Sequence, residues 1–190
     1  IDAYRDALRK YPNSPLAERV SLKVGILLYE QPDYFGALRA FNEHINNKAF
    51  GDAKTSLSKN MARVAQGQAF MNIGKSSDAI DVYNQLEKES GLEPIRAEAA
   101  FRRADVAFKT GKFAESMAEY QKALKDYSKY EKDYPEAVYH QGEAHFWLGN
   151  YRDSLNAYRE FIRKFPTHSD TPFATTRVGE LLEILGADPT

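Results

Sequence analysis

Small residues return along this chain at an interval that a single globular core would not impose. Gly25, Gly67, Ala104, Gly142 and Gly179 are separated by 42, 37, 38 and 37 residues. After each of the first four comes a turn signal (Gln31-Pro32, Gly74, Gly111, Gly149) and then a second small residue (Ala37, Ala79, Ser116, Ser154). A period near this length marks a helical repeat array, in which every unit buries its apolar face on its neighbours. The predicted fold is all-α, a solenoid of antiparallel helical hairpins without a sheet.

The stretch from Pro135 to Pro166 is the most complete copy. Val138, Gln141, Gly142, His145 and Phe146 share one helix face, and Tyr151, Ser154, Leu155, Tyr158, Phe161 and Ile162 share a second, each at three- and four-residue spacing. Gly149 suits the left-handed cap that closes the first helix. Pro166 forbids continuation of the second. Gly142 and Ser154 carry almost no side chain, so the two helices can approach there while Tyr151, Tyr158 and Phe161 fill the flanks.

The same pattern divides the chain into a partial repeat at 1–12, full repeats at 13–52, 53–92, 93–130 and 131–168, and a partial repeat at 169–190, about ten helices in a single array. Asp2 to Lys10 reads as a lone second helix, and Thr171 to about Leu185 as a lone first helix. Helix starts are expected at Pro15 and Thr55. The longest interval is explained by a polar insert, 47–54, which reads as a tolerated surface loop. Tyr127, Tyr130 and Tyr134 are expected to wedge between neighbouring hairpins. Tyr4, Leu8, Leu181 and Leu185 are expected at uncovered, associative ends.

This order of residues resembles the tetratricopeptide repeat, with Gly142, Tyr151, Tyr158 and Pro166 where that motif wants them. Phe161 stands where alanine is usual, as Ala123 does in the preceding copy, and His145 replaces a usual aromatic. The long period and the endings YREFIRKFP (158–166) and YRDALRKYP (4–12) are similar to a longer variant found in bacterial envelope proteins, including Tol-Pal-associated repeat proteins and lipoproteins of β-barrel assembly. The resemblance implies a non-enzymatic scaffold that binds a partner protein or peptide in a concave groove lined by the first helices. It also implies a periplasmic or envelope-associated setting, with the cytoplasm as the alternative. In the second half of the chain the groove residues would be Phe101, Arg102, Asp105, Tyr139, His140, Glu143, Arg177 and Glu180. Asp105, Glu143 and Glu180 would form an acidic line, with Phe101 and Tyr139 as flat anchors, suited to a segment carrying a basic residue. The alternative of a different class is a structural module whose exposed repeat ends mediate oligomerisation.

Other chemistry finds little support. A formal net charge of −1 provides no overall positive field for nucleic acid. No cysteine is present, so disulfides, thiolate metal sites and cysteine nucleophiles are excluded. The longest apolar run, near Val24 to Tyr29, is too short to span a bilayer. Gly74-Lys75-Ser76 resembles the end of a phosphate loop, but Ala69 replaces its first glycine and a helix precedes it. His140 and His145 point to different helix faces, which spoils a shared metal site. No catalytic residue, metal site or cofactor is expected. The chain opens at Ile1 inside a repeat, which reads as a fragment or a processed chain.

Overall fold

The computed structural model describes residues 1–187. Among these residues the chain forms ten α-helices and no strand: α1 (Asp2–Lys10), α2 (Ala17–Glu30), α3 (Tyr34–Asn46), α4 (Leu57–Asn72), α5 (Ser76–Glu89), α6 (Glu93–Lys109), α7 (Phe113–Asp126), α8 (Pro135–Trp147), α9 (Tyr151–Lys164) and α10 (Thr171–Ala187). Short 3-10 helices occupy Lys48–Phe50 and Ser128–Asp133. The architecture is all-α and built from antiparallel helical hairpins, as the repeat period predicts. The chain divides into two compact units, Ile1–Ala99 and the residues from Ala100 on, with the division inside α6.

In the first unit α2 pairs with α3 and α4 with α5, α3 packs on α4, and α1 lies on α2. The closest approach in each hairpin is a ring laid on a glycine. A Cβ on Gly25 would sit 2.5 Å from the Phe41 ring, and one on Gly67 would sit 2.5 Å from the Tyr83 ring. Both distances are far inside van der Waals contact, so no larger residue fits without displacing a buried ring. Ala37, Ala62 and Ala79 are fully buried and complete the tight packing.

The insert after α3 lies at the surface, with most of its residues exposed, but it is anchored as a packed corner by Phe50 and by bonds from later in the chain. Phe50 is buried, with its ring centroid 5.1 Å from that of buried His44. The Asn60 side-chain amide donates to the carbonyls of Ala53 at 3.0 Å and Ser56 at 2.8 Å, and Gly91 N–H donates to Lys54 O at 2.9 Å. Burial holds the His44 imidazole below its ordinary pKa, against an opposing pull from Glu18. Helix starts also move: α2 begins at Ala17, and α4 at Leu57 behind Ser56, whose hydroxyl accepts from Lys59 N–H at 3.3 Å.

In the second unit α8 pairs with α9, α10 packs on α9, and α7 packs on α8. The Tyr158 ring covers Gly142, where a Cβ would lie 2.9 Å away, and Ser154 Oγ donates to Gly142 O at 2.8 Å. Ser116 Oγ makes the same bond to Ala104 O at 3.3 Å. Gly74, Gly111 and Gly149 all take φ of 75° at their turns, the left-handed geometry that side chains resist. Tyr127, Tyr130 and Tyr134 pack against Phe101, Ala123 and Ala137, the wedge that was expected.

The expectation of exposed ends holds only in part. Tyr4 is 42% exposed, but Leu8 packs on the first unit's core and Leu181 is fully buried under α9. On α10 the exposed apolar residues are instead Phe173, Leu182 and Ile184.

Gly142 and Gly179 hold the same repeat position in different surroundings, since nothing lies within 4 Å of a Cβ on Gly179. Gly142→Leu should destabilise by about 1–3 kcal/mol or more through overpacking. Gly179→Ala should instead stabilise by roughly 0.5–1 kcal/mol, because it removes a mid-helix glycine at no steric cost. Thermal melts with opposite shifts are expected; equal shifts would mean that the two positions are not packed as described.

Candidate functional site

The residues that resemblance placed in a groove lie on α6, α8 and α10, and most of them are already engaged with one another. Two three-part clamps account for this. In the first, Asp105 on α6 accepts a short hydrogen bond from the Tyr120 hydroxyl on α7, and that hydroxyl also lies 2.8 Å from His140 Nδ1 on α8. The phenol proton goes to Asp105, so His140 Nδ1 carries a proton and donates to the phenol oxygen. Arg102 Nη1 adds a bond to the second Asp105 oxygen at 3.3 Å, and His140 stacks on Phe108 with centroids 4.2 Å apart. Burial pushes the Asp105 carboxyl up, but the bonds from His140 and Tyr120 outweigh it and leave the pKa below its ordinary value. Burial and the adjacent Asp105 charge push the Tyr120 phenol far up.

The second clamp repeats the first one unit later. Glu143 Oε1 on α8 accepts from Tyr158 on α9 at 2.5 Å and from Arg177 Nε on α10 at 3.2 Å. Arg177 also donates to Glu180 at 2.8 Å and lies 4.5 Å over the Phe146 ring. Hydrogen bonding to Glu180 is the largest of the effects that raise the Arg177 pKa. Tyr139 reaches Glu143 Oε1 at 3.4 Å and meets Tyr158 and Phe161 edge-on, and burial with the Glu143 charge pushes its hydroxyl up to about 12. Both clamps follow one register: an acid one residue after the small residue, a tyrosine sixteen after it, and a histidine or arginine two before the next small residue.

In the first hairpin of the first unit the corresponding positions are apolar, Ile26, Phe41 and Ala65, whereas the second hairpin has Gln68 and Tyr83 there. In this unit the first-helix face holds a cavity of about 240 Å³ lined by Leu22, Ile26, Tyr29, Met61, Val64 and Ala65, with Gln68 and Glu98 as its polar members. Met61 is 45% exposed at this cavity.

Phe101 is not a groove anchor. It is 1% exposed and stacked on Tyr134 at 4.2 Å, because α6 turns it into the core that the tyrosine wedge closes. Arg102, Asp105 and His140 come together in the first clamp, and Tyr139, Glu143, Arg177 and Glu180 in the second. The acidic line is thus largely neutralised from within, Glu180 being the member with the most exposed side chain at 47%. Sequence reasoning treated Tyr158 only as a ring filler and assigned Tyr120 no role. The register was findable only in part, since Tyr120 and Tyr158 accompany Asp105 and Glu143 and Phe41 accompanies Ile26, but Tyr83 accompanies Gln68.

Phenols held this far above neutral pH are poor nucleophiles, and the carboxylates beside them accept their hydrogen bonds from neighbouring helices, so the clamps join helices. Among the described residues no group of three or more histidines, cysteines or acids could hold a metal ion, and no helix is long and apolar enough to cross a membrane.

Two sequence models, both described as tetratricopeptide repeat, match residues 64–131 and 136–168. No curated protein sequence matches the chain. Among solved structures, a crystal structure of MamA protein is similar with 18% identity and a TM-score of 0.65, covering 91% of this chain and 85% of that one. A tetratricopeptide repeat protein from Parabacteroides merdae gives 17% identity and a TM-score of 0.69, over 97% of this chain and 65% of its own. A structure from Podosopora anserina, described as putative kinesin light chain nearly identical TPR-like repeats, gives 11% identity and a TM-score of 0.68, over 88% of this chain and 86% of that one. At these identities the likeness concerns the fold.

The lowered Asp105 pKa has a pH signature. A carboxyl whose folded pKa lies below 3.8 stabilises the fold above that value, and the contribution is lost as pH falls through the folded pKa. Asp105→Asn should cost about 1–3 kcal/mol at neutral pH and flatten the acid limb of the stability curve. Denaturant titrations across pH measure both; a variant as stable as its parent at neutral pH would contradict the clamp.

Proposed function

Since this chain belongs to the tetratricopeptide-repeat family, we propose that it is a non-enzymatic scaffold that holds a segment of a partner polypeptide on its first-helix face. The observation that carries this reading is the unfilled apolar cavity in the first unit. Its walls come from α2, α3 and α4, with Glu98 added from α6, and the first three are held by the Phe41-on-Gly25 contact and by the packed corner after α3. A preformed apolar cleft of this kind accepts one side chain of a bound segment with little reorganisation.

The partner is a segment with an apolar or aromatic anchor for this cavity. Direction by charge is a smaller contribution than the sequence implied, because Asp105 and Glu143 are already hydrogen-bonded and paired within their clamps. An envelope setting belongs to the same proposal and rests on the similarity of the long period and of the two YR…P endings to bacterial envelope repeats.

The test uses a partner captured on the intact chain and then purified. Met61→Lys places a charge at the cavity mouth, and calorimetry should show affinity reduced by about tenfold or more, on the order of 1–2 kcal/mol. Melting like the parent is required first. Unchanged affinity, with substitutions on Lys48 or Asp52 of the insert weakening binding instead, would move the site to that corner.

A further inference from the structure

The apolar cavity of the first unit is one end of a longer groove between α2 and α4. The two helices lie side by side and run the same way: Ser56 and Ser58, at the start of α4, donate to Glu18 in the first turn of α2, and Asn72, at the end of α4, donates to the Tyr29 hydroxyl in the last turn of α2 at 2.8 Å. At their starts lies a second, more open cavity of about 600 Å³, with Glu18, Arg19, Asp52, Ser56 and Ser58 on its walls. Leu22 and Met61 line both cavities, so the two are continuous. The groove therefore passes from apolar walls at Ile26 and Ala65 to a carboxylate at Glu18. That carboxylate is fixed in place through three helices. Ser58 on α4 gives its proton to Glu18 Oε1, so the Nε2 of His44 on α3 keeps its own proton and donates to Ser58 Oγ at 3.1 Å. His44 Nδ1 is left bare and buried without a partner, and burial keeps the ring neutral at neutral pH. Ser56 reaches the same Glu18 oxygen at 3.4 Å.

We infer that Glu18 receives a lysine or arginine of an extended partner segment, two residues from the apolar side chain that enters the Met61 cavity. The inference rests on the reading of that cavity as the anchor site. Charge complementarity selects the occupant. Asp105 and Glu143 are engaged by a histidine or arginine of the next helix, whereas Glu18 has serine hydroxyls alone, both on Oε1, and among the described residues no ion-pair partner. Asp52 adds a second negative charge to the wall, its Oδ1 accepting from Lys54 N–H at 2.7 Å. Arg19 is the cation of the wall, but it is exposed and, among the described residues, nothing bonds it, so its side chain can turn to water while Glu18 stays held. Spacing selects the position. Glu18 lies one helical turn before Leu22, about 6 Å along α2. Side chains two apart on one side of an extended segment are separated by about 7 Å, and a lysine or arginine stem covers the remaining distance to the cavity. A half-buried, preoriented carboxylate favours a cation there and repels an acid, so the charge sets which segments bind as well as how tightly. The acceptor for a basic residue thus lies in the first unit, outside the acidic line that the resemblance implied.

Three end-blocked peptides test it on the intact chain: Arg-Ser-Phe-Ser-Arg, Gln-Ser-Phe-Ser-Gln and Glu-Ser-Phe-Ser-Glu, whose symmetry serves either chain direction. Titrations at low salt should show the parent preferring the arginine peptide to the glutamine peptide by about fivefold or more, with the preference shrinking as salt is added. Glu18→Gln keeps an acceptor for both serines and should melt like the parent. It should bind the arginine and glutamine peptides equally. Glu18→Lys should bind the glutamate peptide more tightly than the parent does, a gain that a loosened corner could not produce. Met61→Lys should weaken the arginine and glutamine peptides alike, because both use the same anchor. A parent without preference, or a preference that survives Glu18→Gln, overturns the inference; if Met61→Lys still weakens both peptides, the scaffold reading stands without it. Binding that Met61→Lys leaves unchanged, or no binding of any peptide, overturns the anchor reading and this inference together.

Discussion

A ring packed on a residue without a side chain is the contact on which this structure depends. It recurs at a spacing of sixteen residues as Phe41 on Gly25, Tyr83 on Gly67 and Tyr158 on Gly142, with Tyr120 at the same spacing from Ala104. Each ring is buried to within 1% of completely. Its burial provides the apolar contribution that helices of about fourteen residues need, since isolated helices of that length are marginal in water. The second small residue, twelve after the first, sets how closely the helices run and, as Ser116 and Ser154, ties them with a hydroxyl-to-carbonyl bond.

Once the ring position is fixed, its para substituent decides what the first-helix face can do. With Phe41 there is no hydroxyl to satisfy, the neighbours are Ile26 and Ala65, and an apolar cavity remains open. With Tyr120 and Tyr158 the hydroxyl emerges beside an acid and a histidine or arginine from the next helix, and the face closes into a hydrogen-bonded clamp. One repeat plan thus yields a surface that can receive an apolar group in one unit and a self-satisfied polar surface in the other.

The hairpins, turns and helix count were legible in the sequence because they depend on local signals: glycine at φ of 75°, proline after a helix, and three- and four-residue apolar spacing. The tyrosine wedge was legible for a similar reason, as three aromatics in a short polar link have little else to do than pack. The packed corner at 47–54 was not, since its stability comes from Asn60 and Gly91 reaching back from later in the chain. Phe101 was misplaced because one step of helical phase separates core from groove, and spacing alone does not resolve it. The clamps were missed because their members were read one by one, as ring filler or as groove residues open to a partner. Only their sixteen-residue register and the histidine or arginine of the next helix join them.

The most direct measurement is a double-mutant cycle between the two members of the central contact, Gly142→Ala and Tyr158→Leu, read by reversible denaturant unfolding. Each single change should destabilise, and together they should cost less than the sum, because the smaller side chain relieves the crowding that alanine creates. A coupling of about 0.5–3 kcal/mol is expected for residues in contact. Additivity to within about 0.3–0.5 kcal/mol would show that the ring does not rest on Gly142, and the account of the hairpin would fail with it.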